Sequence, residues 1–282
     1  MRTLYVSDLD GTLLRSDERT SEYTNCVIKR LTEKGMIFSY ATARLLLTAK
    51  KVTKGIDVNI PVIVYNGAFV TDNASGEIML SNFFGEEIKD VIGSLLGAKI
   101  YPIVYAYIDG KENFSYLPEL INEGTKKFTD SRAGDIRANT VHDPEELKRG
   151  DIFYITCVDV PSALQPFYEA YKDRYHCVYQ REIYTGEQWL EIMPEAASKA
   201  NAVRQLKDYL KCERVVAFGD RQNDMDMFAI ADESYAVENA DPALKSIATG
   251  VIPSNNEDGV AHWLEENYLP DTERWTGLRR HI

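Results

Sequence analysis

The sequence predicts an α/β fold: a parallel sheet flanked by helices, with a second α/β domain inserted into the first. Three observations predict it. Short aliphatic runs alternate with amphipathic stretches over the first 65 residues, and the same alternation resumes near residue 197. Between them the texture changes, and ten of the 17 tyrosines fall between residues 84 and 190. Strand-helix-strand alternation predicts parallel strands joined by right-handed crossovers. Ligand sites in such sheets lie beyond the carboxyl ends of the strands.

The opening run Leu4-Tyr5-Val6-Ser7 is a buried strand that breaks at once into Asp8-Leu9-Asp10-Gly11-Thr12-Leu13. From Ser21 to Lys34 a helix is expected. Tyr23, Val27 and Leu31 are four apart, Ser21 can cap the start and Gly35 can end it. Met36 to Ala41 is the second strand, ending in Thr42-Ala43-Arg44, and a helical stretch follows to about Lys54. Pro61 to Tyr65 is the third, stopped by Asn66-Gly67. In the inserted segment a helix is expected over Ile88–Leu96, with strands over Tyr101–Ile108, Asp151–Val160 and Tyr175–Tyr179. The first domain resumes with a helix from Ala197-Ser198-Lys199 through about Leu210, then the strand Arg214–Phe218, which ends in Gly219-Asp220-Arg221-Gln222-Asn223-Asp224. Strands at Ser234–Val237 and Gly250–Ile252 and helices near Pro242–Ala248 and Val260–Glu266 complete it. The tail 270–282 has no periodicity and is assigned no role. The domain expectation is therefore a core of 1–83 and 191–282, interrupted by 84–190.

A chain of 282 residues with 44% hydrophobic and 27% charged content is ample for a packed core. No apolar run approaches the roughly 20 residues that a membrane helix needs, and no signal-type segment leads the chain. Cys26, Cys157, Cys177 and Cys212 are scattered, so free thiols in a cytoplasmic protein are expected and zinc is not. A net charge of −12 argues against nucleic acid or anionic membrane as partner. An anionic substrate then needs a metal and a few placed cations to reverse the field locally.

Asp8 and Asp10, two apart on extended backbone, can face one pocket. Adjacent carboxylates repel unless a cation or a shared proton relieves them. A lone Asp-x-Asp is more often a solvated or capping turn. Here further acids, Asp220 and Asp224, follow another apolar strand. A carboxylate-rich set without His or Cys suits a hard, oxygen-seeking ion, and Mg²⁺ best fits phosphate chemistry. Thr42 offers a hydroxyl and Lys199 a cation, both suited to phosphoryl oxygens. Taken singly, each has an ordinary reading: a strand-end hydroxyl, a solvated helix lysine, helix-capping acids, a turn asparagine at Asn66.

Together, Asp8-x-Asp10-Gly11-Thr12-Leu13-Leu14, Thr42, Lys199 and Gly219-Asp220-x-x-Asn223-Asp224 resemble the four motifs of the haloacid dehalogenase superfamily. Asn66-Gly67-Ala68, Asn239-Ala240-Asp241-Pro242 and Asn255 to Ala261 extend the likeness to the Cof-like sugar-phosphate phosphatases. That resemblance implies a Rossmann-like haloacid dehalogenase core with an inserted α/β cap that governs specificity. It implies that Asp8 is a nucleophile forming an aspartyl phosphate and that Asp10 is the general acid and base. Mg²⁺ would be held by Asp8, the backbone carbonyl of Asp10, and Asp220, with Asp224 ligating or acting through water. Thr42, Lys199, Leu9 and Asn223 would bind phosphate, while Arg44 and Asn66 would touch substrate. The implied partner is a small phosphorylated metabolite, and the implied state a monomer or weak homo-oligomer.

Two departures stand out. Residue 43 is Ala where these phosphatases usually have Gly, and Arg221 follows Asp220 where a small residue is usual. Arg221 is expected at the surface; Arg44 either contacts substrate or pairs with a core acid. His142, His176, His262 and His281 are expected at surface or packing positions. The rival functions are a phosphomutase using the same aspartyl phosphate and a non-catalytic regulator that binds phosphorylated metabolites. Release of inorganic phosphate against formation of an isomer separates the mutase from a phosphatase, and against the regulator no catalytic position of the four motifs is missing.

Overall fold

The computed structural model describes residues 1–56, 61–181 and 187–268. The expected tail 270–282, with His281, lies outside them. The chain divides into two compact units, Met1–Ser81 with Ser198–Ile282, and Asn82–Ala197.

The first unit opens with β1 (Thr3–Ser7), α1 (Glu22–Glu33), β2 (Ile37–Tyr40), α2 (Leu46–Val52), β3 (Val62–Val64), β4 (Phe69–Thr71) and β5 (Ile78–Ser81). After the second unit it resumes with α6 (Lys199–Tyr209), β12 (Arg214–Gly219), α7 (Met225–Ile230), β13 (Glu233–Val237), α8 (Pro242–Ile247), β14 (Gly250–Ile252) and α9 (Gly259–Asn267). Five strands form a parallel sheet in the order β14-β13-β12-β1-β2. Every residue of β1 is buried, as an interior strand covered on both faces requires. Helix starts follow their capping residues: Ser21 Oγ accepts from Thr24 N (2.9 Å) and Ser198 Oγ from Asn201 N (3.1 Å). The chain winds one way from β1 to β2 and the other way through β12 to β14. The crevice between β1 and β12 is therefore a topological switch point, where ligands of open α/β sheets bind.

The third expected strand departs from expectation. β3 carries a single parallel bridge, Ala41 to Ile63, and then pairs antiparallel with β4, which pairs with β5. These three make a sheet of their own.

The second unit holds α3 (Ile88–Gly97), β6 (Ile103–Ile108), β7 (Lys111–Tyr116), α4 (Glu123–Asp130), β8 (Ala138–Thr140), β9 (Asp151–Asp159), α5 (Pro161–Tyr171), β10 (His176–Arg181) and β11 (Gln188–Met193). Its sheet runs β10-β11-β9-β6-β7-β8 and is antiparallel except between β7 and β8. Ile88, Val91, Ile92 and Leu95 of α3 and Leu164 of α5 join one core with Val104, Ile155, Cys157, Leu190 and Ile192. The expected border near 190 falls inside β11, which pairs with β9 and β10; the unit closes at Ala197 instead.

Candidate active site

The carboxyl ends of β1, β2 and β12 bring Asp8, Thr42 and Asp220 to one side of the parallel sheet. Asp8 N donates to Phe218 O (2.9 Å), continuing the β1–β12 ladder to the first acid. Lys199, the first residue of α6, is buried with its ammonium between two carboxylates, 2.5 Å from Asp8 Oδ1 and 2.7 Å from Asp224 Oδ1. The other oxygen of Asp224 accepts from the backbone N–H of Asp220 (3.0 Å) and of Arg221 (3.2 Å), which fixes the turn after β12. Thr12 Oγ1 donates to Asp220 Oδ1 (3.3 Å). Gly11 passes close over the same carboxylate at φ +82°, where an added Cβ would stand 2.2 Å from Asp220 Oδ2.

Asp8, Asp220 and Asp224 are all buried, and each offers an oxygen such that the three lie within 4.8 Å of one another. Among them sits one ammonium. Burial opposes the charge of Lys199, but Asp224 and Asp8 outweigh it and hold the amine well above its ordinary value. One buried cation, with the exposed Arg221 near Asp220, does not balance three buried acids. Burial pushes the Asp8 carboxyl up, against Lys199 and with the help of Asp224 and Asp220. Burial and Asp224 push Asp220 to about 7. An all-oxygen set with surplus negative charge fits a hard divalent cation such as Mg²⁺, which would relieve that repulsion.

Asp10 stands apart from this cluster. Its carboxylate pairs with Arg44: Nε lies 2.8 Å from Oδ2 and 3.1 Å from Oδ1, and Nη2 lies 2.5 Å from Oδ1. Arg44 Nη2 also donates to Glu18 Oε2 (2.9 Å). These acids, Asp10 first, raise the Arg44 guanidinium further above its already high value. Of the two expectations for Arg44, the structure presents the pair with an acid. Thr42 is fully buried; its Oγ1 accepts from Arg44 N (3.0 Å), which leaves the hydroxyl proton uncommitted among the described residues. Asn66 N donates to Thr42 O (2.9 Å) from a left-handed backbone (φ +52°), and its buried Oδ1 has no hydrogen-bond partner among the described residues. Gly67 follows at φ +100°, where a Cβ would meet Ser198 O at 2.3 Å; the turn thus packs directly on the start of α6.

The remaining expected residues are less engaged. Leu9 is a core side chain whose carbonyl accepts from Leu14 N (2.8 Å), closing the turn after Asp8. Asn223 is half-buried beside Asp224. Arg221 is exposed, with Nε 3.4 Å from Asp220 Oδ2. Ala43 is exposed. Sequence reasoning assigned no role to Thr12, Glu18, Asn239 or Asn255. Asn239 Nδ2 donates to Gly11 O (2.7 Å), its Oδ1 accepts from Asn255 N (3.0 Å), and Asn255 Nδ2 donates to Leu14 O (2.8 Å). The only signal for Asn239 and Asn255 was their place in the late Asn-rich runs, since their bonds to Gly11 and Leu14 span 228 and 241 residues.

The family model for haloacid dehalogenase-like hydrolases matches residues 5–264. The 5-amino-6-(5-phospho-D-ribitylamino)uracil phosphatase YitU of Bacillus subtilis is 27% identical over 276 residues, 94% of this chain and 97% of that protein. The crystal structure of TM0651 from Thermotoga maritima superposes with a TM-score of 0.75 at 29% identity, covering 95% of this chain and 98% of that one. The subclass IIB sugar phosphatase BT4131 shares the fold, with a TM-score of 0.71 at 20% identity over 94% of this chain and 98% of that one. Among the described residues no helix is long and apolar enough to cross a membrane.

Proposed function

The chain belongs to the haloacid dehalogenase-like hydrolases as a Cof-like phosphatase, and on that premise we propose that it hydrolyses small phosphorylated metabolites, sugar or polyol phosphates foremost, through an aspartyl phosphate on Asp8 with Mg²⁺ as cofactor. The observation that carries this reading is the buried cluster of Asp8, Asp220 and Asp224 around Lys199, at the switch point of the sheet. A relative named for a phosphorylated ribitylamino-pyrimidine supports a hydroxylated leaving group.

In this mechanism Asp8 attacks phosphorus while the substrate's bridging oxygen departs, and Asp10 donates the proton that this oxygen takes up. Asp10 then accepts a proton from water as that water attacks the phosphorus of the aspartyl phosphate, releasing inorganic phosphate and restoring Asp8. Thr42 donates its free hydroxyl proton, and Lys199 its charge, to the transferring oxygens. Leu9 and Asn223 contribute further contacts to the phosphoryl group, and the Asn66 amide reads the rest of the substrate. Asp8, Asp220 and the Asp10 carbonyl, with Asp224 directly or through water, would hold Mg²⁺, which would supply charge to neutralise the phosphoryl oxygens. The proposed setting is the cytoplasm.

A panel of phosphorylated sugars, polyols and nucleotides, assayed for released phosphate with and without Mg²⁺, tests the reading. Asp220→Asn should lower activity and recover part of it at raised Mg²⁺. Lys199→Ala should lose about a hundredfold or more with no such recovery, on the scale of one lost electrostatic contact to the transition state. Equal recovery of both variants, or activity indifferent to Mg²⁺, contradicts the assignment; isomer formation without phosphate release would make the protein a mutase.

A further inference from the structure

The Asp10 carboxylate has Arg44 as its sole hydrogen-bond partner among the described residues, through three contacts of 2.5–3.1 Å. The arm that makes them is itself fixed. Arg44 N donates to Thr42 Oγ1 (3.0 Å) and Arg44 O accepts from Tyr65 N (3.1 Å), so the residue is tied into two neighbouring turns. Glu18 takes the outer edge of the guanidinium at 2.9 Å from a left-handed backbone (φ +58°). As a source of stability this arrangement offers little. The Asp10 side chain is 47% exposed and that of Arg44 22%, and solvent screens such a pair so that it adds little. Its geometric effect is larger. Asp10 precedes Gly11, in a turn with no regular ladder, and half-exposed carboxylates otherwise sample several rotamers. A planar guanidinium gripping both oxygens removes that freedom in a way that a lysine ammonium cannot.

We propose that Arg44, braced by Glu18, is a positioning residue that aims the Asp10 carboxyl group at the leaving oxygen and the attacking water, and is not a ligand of the substrate. This rests on the acid-base reading of Asp10 given above. Misplacing a catalytic group by about 1 Å costs about a hundredfold in rate. The loss should depend on the leaving group: a nitrophenolate leaves without a proton, whereas an alkoxide needs one.

The test is kcat/KM for a series of phosphate monoesters running from nitrophenyl through phenyl to alkyl, measured for wild type, Asp10→Asn, Arg44→Ala and Arg44→Lys. Asp10→Asn should lose far more on alkyl than on nitrophenyl esters. Arg44→Ala should show the same tilt, with under about tenfold loss on nitrophenyl phosphate and about a hundredfold or more on alkyl phosphates. Added guanidinium ion should restore the alkyl esters selectively. Arg44→Lys, which keeps the charge and loses the fork, should resemble the alanine variant; it carries the test by itself if Arg44→Ala does not fold. A uniform loss across leaving groups in the Arg44 variants, beside a steep one in Asp10→Asn, overturns the positioning role and makes Arg44 a substrate contact. A uniform response in Asp10→Asn overturns the acid assignment of Asp10, and the positioning role with it.

Discussion

Among the described residues Lys199 is the only cation buried among these three acids, and the consequence is measurable in the resting protein. Burial and Asp224 raise Asp220 from 3.8 to about 7, so the native state holds a proton there that the unfolded chain gives up at lower pH. A raised carboxyl contributes stability that is fully present below its ordinary value and lost as pH rises through the native one. In EDTA, Tm should therefore fall between pH 4 and pH 7 more steeply for wild type than for Asp220→Asn. Added Mg²⁺ should raise the wild-type Tm most at the upper end of that range. Equal pH slopes for the two proteins would contradict the charge surplus. Much at this scale was legible in the sequence, because Asp8, Thr42, Lys199 and Asp220 stand at strand ends or a helix start that local patterning marks. Arg44 was legible as a contact to substrate or a partner of a core acid, but not as the partner of Asp10. Its pairing with Asp10 depends on a turn that brings residues 34 apart into contact, and no local pattern encodes that.

The elements near the site act as fixed mounts. The Tyr65-Asn66-Gly67 turn takes three consecutive left-handed conformations and lies against the first residues of α6. Such backbone costs about 1–3 kcal/mol per non-glycine residue and persists only where its surroundings hold it. Gly67→Ala would place a methyl 2.3 Å from the Ser198 carbonyl, a backbone atom that cannot swing aside. We expect a destabilisation of about 2 kcal/mol or more, together with lower activity as Lys199 shifts; thermal melts and phosphate release check both. An alanine variant as stable and active as wild type would show that the approach is loose. The strands β1 and β12 and the helices α1 and α6 were plain in the sequence, since long apolar runs and Ser caps are local signals. The three-residue strands β3 and β4 were harder. A run as short as Val62–Val64 carries no information about whether its partner is parallel or antiparallel, and only tertiary pairing decides it. The inserted unit's border slipped for a related reason: the β11 residues Gln188–Met193 alternate, yet nothing local says to which sheet they belong.

For the whole molecule, the chain leaves the first unit after Ser81 and returns at Ser198, one residue before Lys199. We propose that the unit Asn82–Ala197 confers substrate choice, since the catalytic acids and Lys199 all belong to the other unit. Replacing 82–197 with a short Gly/Ser linker should leave a folded, Mg²⁺-dependent phosphatase of small aryl phosphates whose discrimination among metabolites has collapsed. A linker variant that is folded by circular dichroism and still ranks metabolites as the full chain does would return specificity to the first unit. The account as a whole stands on covalent chemistry at one residue, and that is directly observable. The full-length protein, mixed with Mg²⁺ and a turned-over phosphate ester and quenched in acid, should carry an acyl phosphate that borohydride reduces to homoserine at position 8, with no such product in Asp8→Asn, whose turnover should fall by several orders of magnitude. Steady turnover with no modification at residue 8, or an Asp8→Asn variant within tenfold of wild type, would contradict it.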